Sequence, residues 1–138
     1  MKREKILENL KSQVKNGSHI IGVATSSGVT AKYSQNGGAD FLLILNSGRF
    51  RQMGRSSLAG FLPFCNSNDM VMKFVSREIL PLVKDIPIIF GLNATDPTKD
   101  LESYIDEIKN MGIDGINNYP TVGLIDGQFS ESLEEDGD

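Results

Sequence analysis

Four short apolar runs, separated by segments with helical patterning, constrain the fold of this chain more than any other feature. They occupy residues 19–24, 39–45, 86–90 and 113–117. Runs of this length predict buried β-strands, and strands that alternate with helices predict a parallel sheet with right-handed crossovers. The continuous apolar character agrees, because a parallel sheet is covered on both faces. The sequence therefore predicts an α/β fold built from a parallel βα repeat.

The segments between these runs carry helix signals. Apolar residues recur at helical spacing, and glycine or proline stands near the expected ends. Asp96-Pro97 has the form of a helix start, with an N-cap residue followed by proline. Helices are predicted over 3–15, 29–36, 57–64, from 68 or 69 to Pro81, and from Asp96-Pro97 to Gly112.

Length and composition indicate one domain. With 138 residues, the chain is shorter than a complete eightfold βα barrel, which needs about 200 residues or more. Five acidic residues fall in 131–138, which predicts an acidic, mobile tail after a single domain over residues 1–130.

Charge, hydropathy and cysteine usage exclude several classes of protein. The chain has no clustered basic face for nucleic acid and no long apolar segment for a leader or a membrane span. Its single cysteine, Cys65, excludes a disulfide framework and fits a reducing, cytoplasmic setting.

An arginine-rich segment follows the second predicted strand. Three of the five arginines in the chain, Arg49, Arg51 and Arg55, lie within seven positions, after Asn46 and Ser47. Ligands bind at the carboxyl ends of parallel strands, and guanidinium groups donate paired hydrogen bonds to carboxylates and phosphates. We expect a loop that binds an anion here; the alternative is a solvated loop whose arginines pair with the acidic surface.

The other predicted strands also end in polar residues. Hydroxyls or backbone N–H groups beside Thr25 and Ser26 could bind an anion, or form a capping turn instead. Asp96 is the best candidate for a base or metal ligand, although the N-cap role is favoured. Further polar candidates follow the third and fourth strands: Asn93, Asn118 and Thr121.

Residues 46–64, 95–97 and 118–127 resemble the phosphoenolpyruvate hydrolase-like family, also called TIM-barrel signal-transduction proteins. The resemblance implies a barrel of the phosphoenolpyruvate/pyruvate-binding type that takes a small phosphorylated or carboxylated oxyacid. It also implies a hydrolase or lyase reaction, with Asp96 and Asn118 as catalytic candidates and Mg²⁺ as a candidate cofactor. Fusion to a Tm-1-like ATP-binding domain occurs in the family and suggests that domain as a partner.

The chain corresponds to only the first half of such a barrel, an N-terminal helix and about four βα units. A half-barrel has two unpaired sheet edges, which soluble proteins normally cover. We therefore expect either a fragment of a longer protein or a homo-oligomer that closes the sheet, with little catalysis by this chain alone. The alternatives to an enzyme are a metabolite-sensing module and an inactive remnant that self-associates.

Overall fold

The computed structural model describes residues 2–136 and contains a sheet of four parallel strands. The strands lie side by side in chain order, and each pairs with the next. They are β1 (Gly22–Thr25), β2 (Phe41–Ile44), β3 (Ile88–Leu92) and β4 (Gly115–Asn118). The predicted parallel βα repeat is confirmed, and its four units have the arrangement of half a βα barrel.

Helices precede the first strand, connect successive strands and follow the last one. The α-helices are α1 (Arg3–Lys15), α2 (Gly28–Asn36), α3 (Asn46–Gln52), α4 (Ser67–Phe74), α5 (Leu101–Asn110) and α6 (Gly127–Asp136). Short 3-10 turns occupy Ser57–Phe61 and Val122–Leu124, and a π-helical turn over Val75–Ile79 extends α4. The predicted N-terminal helix over residues 3–15 is confirmed.

The two faces of the sheet differ in burial. On one face, Ile44 and Phe90 are neighbours in register and have no exposed surface. The Phe90 ring meets the ring of Tyr104 from α5, with the two centroids 6.3 Å apart. On the opposite face, the neighbouring pair Leu43 and Ile89 is only half-buried. Because successive residues of a strand point to opposite faces, the helices cover one face, and the core lies there.

The first strand begins later than the run 19–24 predicts. Ile20 and Ile21 are exposed, and the backbone N–H of Ile21 donates to the Asp40 carboxylate at 2.7 Å. The Asp40 side chain thus accepts the hydrogen bond that the N–H of Ile21 would donate to a neighbouring strand if β1 were longer. Regular pairing of β1 with β2 starts at Gly22.

The arginine-rich segment is not a loop, as predicted, but forms helix α3 directly after β2. Glycine inside a helix is normally unfavourable by about 1 kcal/mol relative to alanine, which argues for a loop. Here Gly48 has a packing reason, because a Cβ at this position would lie 2.7 Å from the Ser26 hydroxyl oxygen. Gly54, with φ +72°, follows the helix end.

The predicted helix start at Asp96 is also wrong. Helix α5 begins at Leu101, and its N-cap is Asp100, whose carboxylate accepts from the N–H of Ser103. The Asp96 carboxylate instead accepts from the N–H of Thr98, two residues on, at 2.9 Å. That local turn satisfies Asp96 without starting a helix, so the chain runs four residues further before α5 begins.

Residues 131–136, expected in the acidic tail, belong to α6, and residues 137–138 lie outside the described part of the chain. The mobility of the tail stays a prediction. Among the described helices, none has the length and apolar character needed to cross a membrane.

Candidate functional site

The carboxyl ends of β1 and β2 place four predicted site residues in buried positions. Thr25 is the last residue of β1 and Ser26 comes directly after it, whereas Asn46 and Ser47 begin α3 after β2. None of the four is more than 3% exposed. Parallel pairing of β1 with β2 brings these ends to the same edge of the sheet. The predicted position of these residues at one edge of the sheet is confirmed, and their role in binding stays a prediction.

Asn46 fastens the 3-10 turn over the end of β2. Its side-chain amide donates to the carbonyl of Gly60 at 2.8 Å, and its side-chain oxygen accepts from the N–H of Ser47 at 2.7 Å. A Cβ on Gly60 would lie 3.1 Å from the Cβ of Ser47, so the turn packs directly on the strand end. Asn46 thus stabilises the packing of the 3-10 turn on the end of β2.

Two serine hydroxyls contact the Arg51 guanidinium, and that of Ser26 lies beside the intervening Gly48. We call Ser26, Ser47, Arg51 and Ser57 the Arg51 cluster. Nη1 of Arg51 donates to Ser57 Oγ at 3.0 Å and to Ser47 Oγ at 3.4 Å. Within residues 2–136, Nη2 and Nε of Arg51 have no hydrogen-bond acceptor and the guanidinium has no acidic partner. The Ser26 hydroxyl is buried and, in the same range, has no hydrogen-bond partner.

Gly48 lies between the hydroxyl and the guanidinium. A Cβ there would lie 2.7 Å from Ser26 Oγ and 3.5 Å from Nη2 of Arg51. Among the residues that the structure describes, the Arg51 cluster therefore combines a cation whose partners are neutral hydroxyls with an unsatisfied buried donor. This combination can accept a carboxylate or phosphate.

Arg49 lies in a different environment from Arg51. Its guanidinium donates to both carboxylate oxygens of Glu78, at 3.1 and 3.3 Å, and to the carbonyl of Ser26 at 3.2 Å. It also lies 5.7 Å from the centre of the Phe74 ring. Arg49 thus joins α3 to β1 and to the π-helical turn. Its predicted contact with substrate stays a prediction, as does that of the exposed Arg55.

A second polar group, the Asp96 cluster, consists of Asp96, Asn66, Asn68 and Thr98. The Asp96 carboxylate accepts from the side chains of Asn66 and Asn68 at 2.7 and 2.9 Å, and from the N–H and hydroxyl of Thr98 at 2.9 and 2.6 Å. Partial burial raises the pKa of Asp96, but the hydrogen bonds from Thr98, Asn66 and Asn68 outweigh it and lower the pKa from 3.8 to about 2. Asp96 is therefore ionised at any physiological pH.

Asn68 is the centre of that cluster and is fully buried. Its amide donates to the carbonyl of Asn93 at 3.0 Å, and its side-chain oxygen accepts from the N–H of Asn93 at 2.9 Å. The backbone carbonyl of Asn68 accepts from the hydroxyl of Tyr104 at 3.2 Å. Asn68 thus ties the start of α4 to the end of β3 and to α5.

A cavity of about 680 Å³ lies beside the Asp96 cluster, bounded by the segments 60–67, 93–98 and 120–121 and by α6. It brings together three of the predicted site residues, Asn93, Asp96 and Thr121. The Arg51 cluster and Asn118 do not line it. The predicted single rim is therefore divided into two regions, which adjoin at Gly60.

Magnesium fits this arrangement poorly. Mg²⁺ is usually held by one or two carboxylates together with waters and substrate oxygens. A carboxylate offers about four acceptor positions, and four protein donors already occupy those of Asp96. In the described part of the chain, no three His, Cys, Asp or Glu side chains are grouped to hold a metal ion. The Mg²⁺ ion and the catalytic roles of Asp96 and Asn118 stay predictions.

Four residues of these clusters were not predicted: Ser57, Asn66, Asn68 and Thr98. Asn66 carries a readable signal, because its side chain accepts from the N–H of Asp69 as the N-cap of α4. Nothing local identifies Asn68 or Ser57, since their partners are distant in the chain or depend on how α3 is oriented.

Comparison with known proteins identifies the family of the chain. The sequence pattern of the phosphoenolpyruvate hydrolase-like family matches residues 5–138. The chain belongs to that family. The match covers all four βα units and both polar clusters.

Two relatives are much longer than this chain. It is 43% identical over 136 residues to the ToMV resistance protein Tm-1(GCR237) of Solanum lycopersicum, covering 99% of this chain and 18% of that protein. It is 38% identical over 136 residues to y4pA of Sinorhizobium fredii (strain NBRC 101917 / NGR234), provisionally named a transcriptional regulatory protein, covering 98% of this chain and 22% of that protein. The chain thus spans about a fifth of the length of these relatives.

Proposed function

We propose that the Arg51 cluster binds the carboxylate or phosphate of a small oxyacid of the phosphoenolpyruvate or pyruvate type. Membership of the phosphoenolpyruvate hydrolase-like family supports this class of ligand. The position of the cluster at the carboxyl ends of β1 and β2 supports it as well, since parallel βα folds bind ligands there.

One observation carries the proposal. The Arg51 guanidinium has two nitrogen atoms, Nη2 and Nε, without an acceptor among the described residues, and it lies next to a buried and unpaired Ser26 hydroxyl. An unpaired buried donor is unfavourable by about 1–3 kcal/mol. An oxyanion bound at Nη2 and Nε would pair the guanidinium, and rotation of the Ser26 hydroxyl toward it would remove that penalty.

Calorimetric titration with phosphoenolpyruvate tests the proposal. We expect Arg51→Gln to weaken binding by about tenfold or more, because a hydrogen bond to a charged group contributes about 1.5–3 kcal/mol. Arg77→Gln is the matched control, since Arg77 is exposed and lies outside the cluster. Equal loss of affinity in both variants, or no binding by the unmodified protein, would contradict an oxyanion site at Arg51.

The reaction of the longer family proteins is part of the same proposal. A bound oxyacid is either the substrate of a hydrolase or lyase, or the signal for a regulatory module. The name given to y4pA supports the regulatory role, and the name of the family supports the enzyme. Calorimetric binding of phosphoenolpyruvate by a full-length relative, without turnover, would favour the regulatory role.

We also propose that the sheet is completed by self-association or by further strands of a longer chain. β1 and β4 each pair with a single neighbouring strand among the described residues, and Ile116 on β4 is 41% exposed. Unpaired edges of this kind favour association. Sedimentation of this chain at micromolar concentration should show a dimer or larger species, and a stable monomer would contradict self-association. The Tm-1-like ATP-binding domain remains a proposed partner in longer proteins.

A further inference from the structure

We propose that the cavity beside the Asp96 cluster is a second binding site, which takes an uncharged, largely apolar ligand bearing a carbonyl oxygen. Its volume of about 680 Å³ lies within the roughly 300–1,000 Å³ of small-molecule sites. The proposal is independent of the oxyanion site, because Arg51 does not line this cavity.

The walls of the cavity favour an apolar body. Phe61 and Leu62 come from the 3-10 turn and its end, and Phe129 and Leu133 come from α6. Phe129 is 62% exposed and Leu62 is 53% exposed, so packing within the described chain leaves more than half of each residue's surface in contact with water. A ligand that fills the cavity would remove this apolar surface from water.

The polar groups of the cavity favour an acceptor on the ligand. Asn93 uses its side-chain oxygen to accept from the hydroxyl of Thr95 at 3.0 Å, whereas its amide nitrogen has no acceptor within residues 2–136. Thr121 Oγ1 accepts from the N–H of Gly123 at 3.2 Å, and over the same residues its own proton has no acceptor. Both groups therefore offer donors, which a carbonyl oxygen would satisfy.

Charge excludes the ionised classes of ligand. Asp96 is ionised, and in the described part of the chain no lysine or arginine lines the cavity. A carboxylate or phosphate would therefore meet a like charge that no described cation balances. An ammonium group finds no vacant acceptor on Asp96, because four protein donors already hold the carboxylate. The side chains thus select against the oxyacids that suit the Arg51 cluster.

Three probes that share a phenylalanine skeleton and differ in charge test the proposal by calorimetry with the full chain. At about pH 6, where an α-amino group is protonated, they are N-acetylphenylalaninamide (neutral), N-acetylphenylalanine (anionic) and phenylalaninamide (cationic). We expect the neutral probe to bind, and each charged probe to bind about tenfold more weakly, a difference of 1.4 kcal/mol. Cys65 lines the cavity and is the single thiol of the chain. Its alkylation by iodoacetamide should therefore slow when the neutral probe is bound.

Variants locate the bound probe. Phe129→Ala and Asn93→Ala should each weaken binding of the neutral probe by about fivefold or more. Phe64→Ala, the same substitution at a phenylalanine that is 68% exposed and lies outside the cavity, should leave its affinity unchanged. Arg51→Gln should also leave it unchanged, which separates this site from the oxyanion site.

Several results would overturn the proposal. These are absence of neutral-probe binding at millimolar concentration, equal or tighter binding of either charged probe, and a neutral-probe affinity that neither Phe129→Ala nor Asn93→Ala lowers. Circular dichroism of each variant verifies that it is folded, and the two variants act on different walls, so misfolding of one leaves the other as a test.

Discussion

At the end of β3, Asp96 accepts four hydrogen bonds, and the side-chain amide of Asn68 joins the start of α4 to Asn93 and Asp96. At the end of β2, Arg51 donates to two hydroxyls through a single nitrogen, and the nearby Ser26 hydroxyl is unpaired within residues 2–136. Both regions are polar and lie at the same end of parallel strands. Their difference indicates that satisfied polar groups hold the fold together, whereas unsatisfied ones are available to a ligand.

The largest effect should come from Asn68→Ala, which breaks the Asp96 cluster. The substitution leaves the N–H and carbonyl of Asn93 and one acceptor position of Asp96 without their partner. We expect the free energy of unfolding to fall by about 3 kcal/mol, because unsatisfied buried groups are unfavourable by about 1–3 kcal/mol each. Urea unfolding measures this, with the exposed Asn110→Ala as control. A loss no greater than that of the control would show that the cluster does not brace the fold.

Lowering the pH should reduce the stabilising contribution of the Asp96 cluster. The pKa of Asp96 is lowered in the folded protein from 3.8 to about 2. Its contribution to stability is therefore fully present above about pH 4 and is lost as the pH falls toward 2. Urea unfolding at successive pH values should show this decline, and Asp96→Asn should reduce its slope. Identical slopes in the two proteins would contradict the hydrogen-bonded role of Asp96.

The smallest expected effect is at the Arg51 cluster, where a substitution should raise the free energy of unfolding and not lower it. Ser26→Ala removes an unpaired buried hydroxyl, so we expect the free energy of unfolding to rise by about 0.5–1 kcal/mol while phosphoenolpyruvate binds more weakly. Ser27→Ala is the matched control, since the Ser27 hydroxyl accepts from the N–H of Thr30 as the N-cap of α2; its loss should lower stability by about 1 kcal/mol. A loss of stability in Ser26→Ala would contradict the interpretation that the Ser26 hydroxyl is an unsatisfied donor.

The sequence predicted the fold because the βα alternation is encoded locally in every unit. It placed Ser26, Ser47 and Arg51 near one another, because the strand-end rule depends only on strand order and direction. It could not decide which arginine contacts the serine hydroxyls and which contacts Glu78. Residues two positions apart on a helix differ by about 200° in direction, so Arg49 and Arg51 separate once the segment is known to be helical.

The long-range partners of Asp96 could not be predicted from a single sequence. The Asp96 cluster joins residues 66–68 to residues 93–98, and the hydrogen bonds of Asn68 span 25 and 28 positions. A local pattern explains Asp96-Pro97 as a helix cap, which the structure assigns to Asp100. The local turn to Thr98 and the long-range hydrogen bonds from Asn66 and Asn68 together occupy the Asp96 carboxylate.

Backbone amide chemical shifts during a titration with phosphoenolpyruvate would locate the oxyanion site. We expect the largest shifts on the residues around Arg51: Ser26, Ser47, Gly48, Arg51 and Ser57. Shifts that are largest at Asn66, Asn93 and Asp96, or that are absent around Arg51 at saturating phosphoenolpyruvate, would contradict that location.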